Sequence, residues 1–267
     1  KFAYYLLHAY DLRKVYYGMG GGVRQTLDFS NFKYLPIVVP EVIEQTKIAR
    51  YLDEKLLLID SIIEKKEELM TILKEKRLAF IGESTLKGLN KNVKLVDSKI
   101  DWIGKIPYDW TVKKLKSGFT FEKGKDSGKF TQEFLGTEKN TGEFPVYSGQ
   151  TGNDGILGKI NTFIYDYPTG VLFSTTVGAK AMTTKLLKGR FSLSQNCVLM
   201  IPNKKADSSY FNYLLEIGFK RMKESIPSHM QPSLRISDLN KFIVLFPPIE
   251  SQIEISECLD AKCSVYD

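Results

Sequence analysis

The chain offers few side chains that could catalyse a reaction. His8 and His229 are its only histidines, so a histidine-based metal cluster is not expected. Cys197, Cys258 and Cys263 show no C-x-x-C spacing, which is typical of reduced thiols and not of a disulfide framework. We therefore predict no metal site and no cofactor.

Two short motifs resemble catalytic or cofactor sites only at first sight. The run "GMGGG" at Gly18–Gly22 lacks the preceding strand, the following helix and the acidic residue of a dinucleotide-binding loop, which indicates a flexible loop. Glu64 and Lys66 have nuclease-like E-x-K spacing, but they lie in the charged run "EKKEE" of a helical segment. An N/D-P-P-Y/F motif, as in amino-methyltransferases, does not occur. We predict that the chain is not an enzyme.

The loops between apolar runs contain many basic and small polar side chains. These side chains are more informative about function than the candidate catalytic groups. Lys and Arg neutralise phosphates, and Gln, Asn, Arg and Ser can read base edges. The net charge of +7 permits an anionic partner such as nucleic acid. Ordinary solvated loops that bind no DNA have a similar content of basic and small polar side chains. The candidate contact residues are Lys123, Lys125, Ser148, Gln150, Thr151, Thr175, Lys180, His229, Gln231 and Arg235.

The elements that would position these loops indicate an α+β fold. Short apolar runs separated by Gly, Asn, Asp and Pro predict strands. These runs are "FPVYSG", "TFIYD", "GVLFST", "NCVLMIP" and, later, "KFIVLFP". Between the last two, "SSYFNYLLEIGFKRMKES" has the composition of a helix.

A second helix is predicted to be long, from Val42 to Phe80. Its heptad positions form an apolar stripe, which we call the seam. A helix of this length rises on the order of 57 Å and gains little stability without a partner. The seam residues expected to pair with another helix are Leu52, Leu56, Ile59, Ile63, Met70, Leu73 and Phe80.

One phrase occurs twice in the chain, as "VPEVIEQTKIARYLD" from Val39 and "PPIESQIEISECLD" from Pro247. The similarity extends upstream, where "FAYYLL" from Phe2 matches "YFNYLL" from Tyr210. Such a repeat predicts a duplicated architecture. The segment before the first copy, which we expect to be a helix, a loop and the strand "YLPIVV", is then the tail of a domain.

The order of these elements resembles the specificity subunit of type I restriction–modification systems. The resemblance rests on "IPYDW" at Ile106–Trp110, on "GVLFST", on "SQNCVLMIP", and on two copies of P-x-x-x-x-Q-x-x-I-x-x-x-L-D. The family usually has Glu before that Gln; Glu44 keeps it, whereas Ser251 departs from it.

The resemblance implies a mixed α/β target-recognition domain joined to a long coiled-coil-type helix. Residues 1–41 would be the C-terminal remnant of a preceding recognition domain, 42–89 the spacer helix, 90–247 a complete recognition domain, and 248–267 the start of a second spacer helix. It also implies a non-catalytic subunit that reads one half of a split site in double-stranded DNA. Its partners would be DNA adenine methyltransferase (modification) subunits and restriction subunits.

Several alternatives remain open from the sequence. The chain has one complete recognition domain, one complete helix and remnants of the rest of the family pattern, so we expect either a fragment of a longer subunit or a half-length subunit that forms a homodimer through the 42–80 helix. A coiled-coil scaffold without DNA binding, or a detached recognition domain of another DNA methyltransferase, would share some features. No apolar run approaches the roughly 20 residues of a membrane span, and no secretory signal is evident. We expect a cytoplasmic protein without a membrane partner.

Overall fold

The computed structural model describes residues 1–19, 29–137, 141–149 and 153–263, and its α+β fold confirms the prediction. Within these residues the helices are α1 (Phe2–Leu12), α2 (Phe29–Phe32), α3 (Val42–Lys87), α4 (Gln132–Leu135), α5 (Ser208–Glu224), α6 (Ile236–Lys241) and α7 (Ile249–Cys263). The strands are β1 (Leu95–Asp97), β2 (Lys105–Pro107), β3 (Thr111–Lys114), β4 (Phe119–Lys123), β5 (Phe144–Tyr147), β6 (Ile156–Ile160), β7 (Tyr165–Thr175), β8 (Thr184–Leu193), β9 (Cys197–Pro202) and β10 (Ile243–Phe246). No helix in this described part of the chain is long and apolar enough to cross a membrane.

The chain divides into two compact units, Lys1–Ile72 and Leu73–Asp267. In the first unit, α1 is attached to the beginning of α3 by polar contacts. The Tyr5 hydroxyl donates to Asp53 Oδ1 at 2.6 Å, and Gln45 Nε2 donates to the carbonyl of Pro40 at 2.8 Å. Ala49, also at the beginning of α3, is buried.

The second unit repeats both hydrogen bonds at the matching positions of the second phrase. The Tyr213 hydroxyl donates to Asp260 Oδ1 at 2.7 Å, and Gln252 Nε2 donates to the carbonyl of Pro247 at 2.9 Å. The repeat found in the sequence therefore corresponds to a repeat of atomic contacts.

The predicted strand "YLPIVV" at residues 34–39 is wrong, because residue 34 lies in a turn and residues 35–39 have no regular structure. Its counterpart in the second unit, β10, pairs with β3 in an antiparallel ladder. In the described part of the first unit there is no strand in the place of β3. Val38 and Val39 are consequently exposed, since a β-prone segment forms a strand only when a neighbour accepts its hydrogen bonds.

A six-stranded mixed sheet with the order β4-β9-β7-β8-β5-β6 forms the centre of the second unit. Alternate residues of β9 face two different cores: Val198 and Met200 pack with α5 and α7, whereas Cys197 and Leu199 pack on the opposite face. This alternation follows from the two-residue period of a strand. Burial on both faces explains why "NCVLMIP" is continuously apolar.

The β7–β8 ribbon is interrupted where two glycines adopt positive φ. Tyr167 pairs with Gly189, but the next pair is Val171 with Leu187, so three residues of β7 lie opposite one residue of β8. Gly170 has φ 102° and Gly189 has φ 78°, conformations that favour glycine. Such a bulge bends a strand. The bent ribbon covers the second core, which is the apolar cluster on the face of the sheet opposite α5 and α7.

Candidate nucleic-acid interface

Five segments that connect or follow the strands meet at one surface of the second unit. We call this the loop surface; it comprises residues 123–131, 147–149, 175–183, 194–196 and 227–235. The segments are joined to one another mainly by backbone hydrogen bonds. Their relative positions are therefore set by the fold and not by flexible side chains.

The β7–β8 loop and the segment before α6 hold each other in place. The backbone N–H of Leu234 donates to the carbonyl of Thr176 at 2.8 Å, and that of Gly178 donates to Pro232 at 3.2 Å. Val177 and Ser233 form an isolated antiparallel bridge between these two hydrogen bonds. The structure thus brings two sequence-predicted contact regions together, although more than fifty residues separate them.

The turn between β8 and β9 lies where the other segments converge. Ser194 donates its N–H to the carbonyl of Tyr147 and its hydroxyl to that of Phe130, each at 2.8 Å. The N–H of Thr176 donates to the carbonyl of Asn196, also at 2.8 Å. Asn196 has φ 62°, a left-handed conformation in which Asn is enriched over most other non-glycine residues.

The loop after β4 is anchored by a tyrosine from the second core. The backbone N–H of Lys125 donates to the Tyr165 hydroxyl at 2.7 Å, and burial raises the pKa of Tyr165. Gly124 lies so close to Leu193 that an added Cβ would be 3.0 Å from Leu193 Cβ. This anchoring directs the lysines of the loop away from the core.

The predicted contact residues fall into three groups. Those with exposed side chains on the loop surface are Lys123, Lys125, Lys180, His229, Gln231 and Arg235. Ser148 and Thr175 are 6% and 4% exposed, and the Thr175 hydroxyl donates to the carbonyl of Lys180, which suits a role in shaping the loop. Gln150 and Thr151 lie outside the described residues.

The lysines of the loop surface differ in their electrostatic surroundings. Lys125 Nζ lies 3.2 Å from Glu122 Oε1, and the hydrogen bond to this carboxylate, followed by its charge, raises the pKa of Lys125. Lys129 pairs with Asp126 at 3.3 Å. Among the residues that the structure describes, Lys123 and Lys180 make no ion pair, so they retain more positive potential for an anion.

Sequence reasoning missed three side chains on this surface. Gln195 and Asn196 were not among the candidate contact residues, but both are exposed. Lys223 of α5 donates its ammonium group to the carbonyl of Ala179 and adds positive charge beside Lys180. Gln195 and Asn196 could have been noticed as the two polar residues between buried strand ends, whereas no local pattern marked Lys223.

The groups considered for catalysis are not arranged for it. Burial raises the pKa of Cys197 to about 12, so its thiol is not a nucleophile at neutral pH. Glu64 and Lys66 are exposed on α3. No group of three or more His, Cys, Asp or Glu side chains within the described ranges could hold a metal ion.

The seam of α3 is largely uncovered. The exposed members of the predicted pairing set are Leu56, Ile59, Ile63, Met70 and Leu73, with exposed fractions of 44%, 51%, 50%, 55% and 37%. Leu52 is half-buried. Phe80 differs, because it packs against the main core of the second unit and lies beneath Lys262 Nζ, 4.8 Å from the ring centroid.

Comparison with known proteins agrees with this architecture. The specificity subunit of the type I restriction enzyme MpnII from Mycoplasma pneumoniae is 34% identical over 123 residues, covering 46% of this chain and 36% of that protein. The S subunit of a type I restriction–modification system from M. genitalium has a TM-score of 0.54 at 19% identity, covering 99% of this chain and 67% of the other. A structure from a study of complex assembly in the type I system has a TM-score of 0.64 at 14% identity, covering 92% and 58%.

At these identities the two structures show a common fold. The aligned part spans only about a third to a half of the curated relatives' length. The family model for the type I restriction modification DNA specificity domain matches residues 107–263, which is more than half of the chain. That match includes every strand of the central sheet and most of the loop surface, and it shows that this chain belongs to the type I restriction–modification DNA specificity family.

Proposed function

We propose that the chain is a non-catalytic DNA sequence-recognition subunit of a type I restriction–modification complex. In this proposal the loop surface reads one half of a split DNA site. Its modification partners methylate adenine, its restriction partners cleave DNA, and the assembly works in the cytoplasm. The observation that carries the proposal is the loop surface itself, where exposed lysines and amide side chains stand on segments fixed by backbone hydrogen bonds.

The composition of this surface suits both parts of specific recognition. Lys123 and Lys180 would neutralise phosphates, which gives affinity and salt dependence without sequence information. Gln231 and Arg235 would contact base edges in the major groove. Ser148 and Thr175 are buried, so we assign them the task of holding the loops.

A salt-series titration tests the proposal. The chain, assembled with a type I modification subunit, is titrated with a duplex selected from a random pool and with a scrambled duplex of equal length. We expect the selected duplex to bind at least about a thousandfold more tightly than the scrambled one. Equal affinity for both duplexes at every salt concentration, or no binding, would contradict the proposal.

Lysine variants make the titration specific for the loop surface. Lys180→Ala should weaken binding to both duplexes and reduce the salt slope by about one. Lys125→Ala should have a smaller effect, because Glu122 already neutralises this lysine. Lys65→Ala, at an exposed position of α3 outside the seam, is the matched control and should bind as the unchanged chain does.

For the helix partner, we propose a second copy of this chain, packed through α3. The exposed Leu56, Ile59, Ile63 and Met70 form the contact, because an apolar heptad seam is stabilised by an equivalent seam. A two-fold dimer of this kind would place the same recognition domain on both half-sites and should prefer an interrupted palindrome.

Sedimentation equilibrium tests the homodimer. Replacing Ile59 and Ile63 with Asp should convert a dimer into a monomer at micromolar concentration. Leu57→Asp is the matched control: Leu57 is 70% exposed, but it lies about 120–160° around the helix from the two isoleucines and should not affect association. A monomeric unchanged chain at micromolar concentration would contradict the dimer and leave the DNA-recognition proposal standing.

A further inference from the structure

The turn at residues 194–196 carries two exposed amide side chains on a backbone that contacts with several elements hold in place. It follows Leu193, which is fully buried, and precedes Cys197, which is 4% exposed. Gln195 and Asn196 are nevertheless both exposed. The chain therefore leaves the buried end of β8, exposes two amide side chains to solvent and enters the buried strand β9.

Contacts with several elements fix the turn. Ser194 is held by the carbonyls of Tyr147 and Phe130, and Asn196 accepts from the N–H of Thr176. The Cys197 thiol donates to the carbonyl of Gln195 at 3.4 Å. All of these contacts use backbone atoms, the Ser194 hydroxyl or the Cys197 thiol, so they leave both amides free to meet a ligand.

The conformation of Asn196 suits this position. Its φ of 62° is left-handed, a conformation in which Asn is enriched over most other non-glycine residues. The side chain is short and begins from a fixed Cα, so little conformational entropy is lost when it binds. Preorganisation of this kind increases affinity. The Gln195 side chain has one more rotatable bond than that of Asn196. Its Nε2 lies beside Gly128, 3.7 Å from the position that a Cβ added to Gly128 would occupy.

We propose that Gln195 and Asn196 are specificity-determining residues that read adenine in the major groove of DNA. Asn and Gln form bidentate hydrogen bonds with adenine N6 and N7, and the two amides stand at neighbouring positions of the turn at which the segments of the loop surface converge. This inference rests on the proposed function, because it assigns part of the base reading to a particular turn.

Selection from a random duplex pool tests the inference. The chain assembled with a modification subunit is incubated with 30-base-pair duplexes of randomised centre, and the bound fraction is sequenced. The unchanged chain should enrich adenine at one or two positions. Gln195→Ala and Asn196→Gly should each lose adenine enrichment at one position, about five- to 150-fold, and keep it elsewhere. Glycine is chosen at 196 because it tolerates the positive φ.

A change of preference provides a stronger readout than a loss. Gln195→Glu replaces an amide that pairs with adenine by a carboxylate that accepts from cytosine N4, so enrichment should move from adenine to cytosine at the same position. Asn161→Gly is the control, because Asn161 is exposed just after β6, at the end of that strand away from Ser148. Circular dichroism confirms that each variant is folded.

The outcomes separate this inference from the proposed function. Unchanged enrichment at every position in the two turn variants would refute the reading of bases by Gln195 and Asn196, with the proposed function intact. Weaker binding to all sequences with unchanged preference would also refute it, since it would place the amides on phosphates. No enrichment by the unchanged chain would contradict the proposed function and this inference together.

Discussion

Gln252 provides a quantitative prediction about what holds the recognition domain together. Its side chain is completely buried. It makes three hydrogen bonds: to the carbonyl of Pro247 at 2.9 Å, to the carbonyl of Lys205 at 3.1 Å, and from the N–H of Asp207 at 2.9 Å. The same residue therefore connects the start of α7 to the start of α5.

The expected cost of Gln252→Ala follows from these contacts. With a net contribution of about 1 kcal/mol for each hydrogen bond, the loss of three gives about 3 kcal/mol of unfolding free energy. For a unit of this size, with a urea m-value near 3 kcal/mol/M, the midpoint should fall by about 1 M. Gln45→Ala is the matched control from the first copy of the phrase. Its amide makes one hydrogen bond, to Pro40, in the other unit.

Tryptophan fluorescence during urea unfolding measures this difference. Both tryptophans, Trp102 and Trp110, lie in the second unit, so the signal reports on that unit. Gln252→Ala should shift the transition, and Gln45→Ala should leave it in place. A change of less than about 0.5 kcal/mol for Gln252→Ala, below the usual contribution of even one hydrogen bond, would refute the reasoning, as would an equal effect of both substitutions.

Three further predictions concern stability and reactivity. Burial, followed by a hydrogen bond to the Asp260 carboxylate, raises the pKa of Tyr213 above the usual value of about 10. The stability that this shift contributes is complete below about pH 10 and is lost as the pH rises through the folded-state pKa. In urea titrations followed by circular dichroism, Tyr213→Phe should therefore lose less stability than the unchanged chain between about pH 9 and pH 11. Gly170→Ala should lower the thermal midpoint, because Gly170 has a φ of 102° that alanine rarely adopts. Gly82→Ala, inside α3 with nothing within 4 Å of the added Cβ, should raise stability by up to about 1 kcal/mol. A higher thermal midpoint for Gly170→Ala than for Gly82→Ala would contradict the account of the bend. Iodoacetamide at pH 8 should modify the half-buried Cys258 before the buried Cys197, and mass spectrometry showing equal rates would contradict the described burial.

The parts of the fold that sequence reasoning predicted are those with strong local signals. α5 was predicted from its composition and β10 from a continuous apolar run, and both are present. The repeated phrase predicted a duplicated architecture, and in both copies a glutamine, Gln45 or Gln252, donates to a proline carbonyl five residues earlier.

The parts that sequence reasoning missed depend on distant partners. The segment at 34–39 has the composition of a strand, but no local signal could show that a neighbouring strand was missing. The bend in β7 depends on which residue of β8 lies opposite the bulge that contains Gly170, and a sequence does not display strand register. The burial of Thr175 has the same origin, because this last residue of β7 pairs with Cys197 of β9.

The central claim is that the loop surface contacts DNA, and photo-crosslinking tests it most directly. A selected duplex carrying a photoreactive base at each position in turn is crosslinked to the assembled protein, and the attached peptides are identified by mass spectrometry. The account predicts crosslinks within residues 123–131, 175–183, 194–196 and 227–235. Crosslinks confined to α3, or to Lys204 and Lys205 at the opposite end of β9, would contradict it.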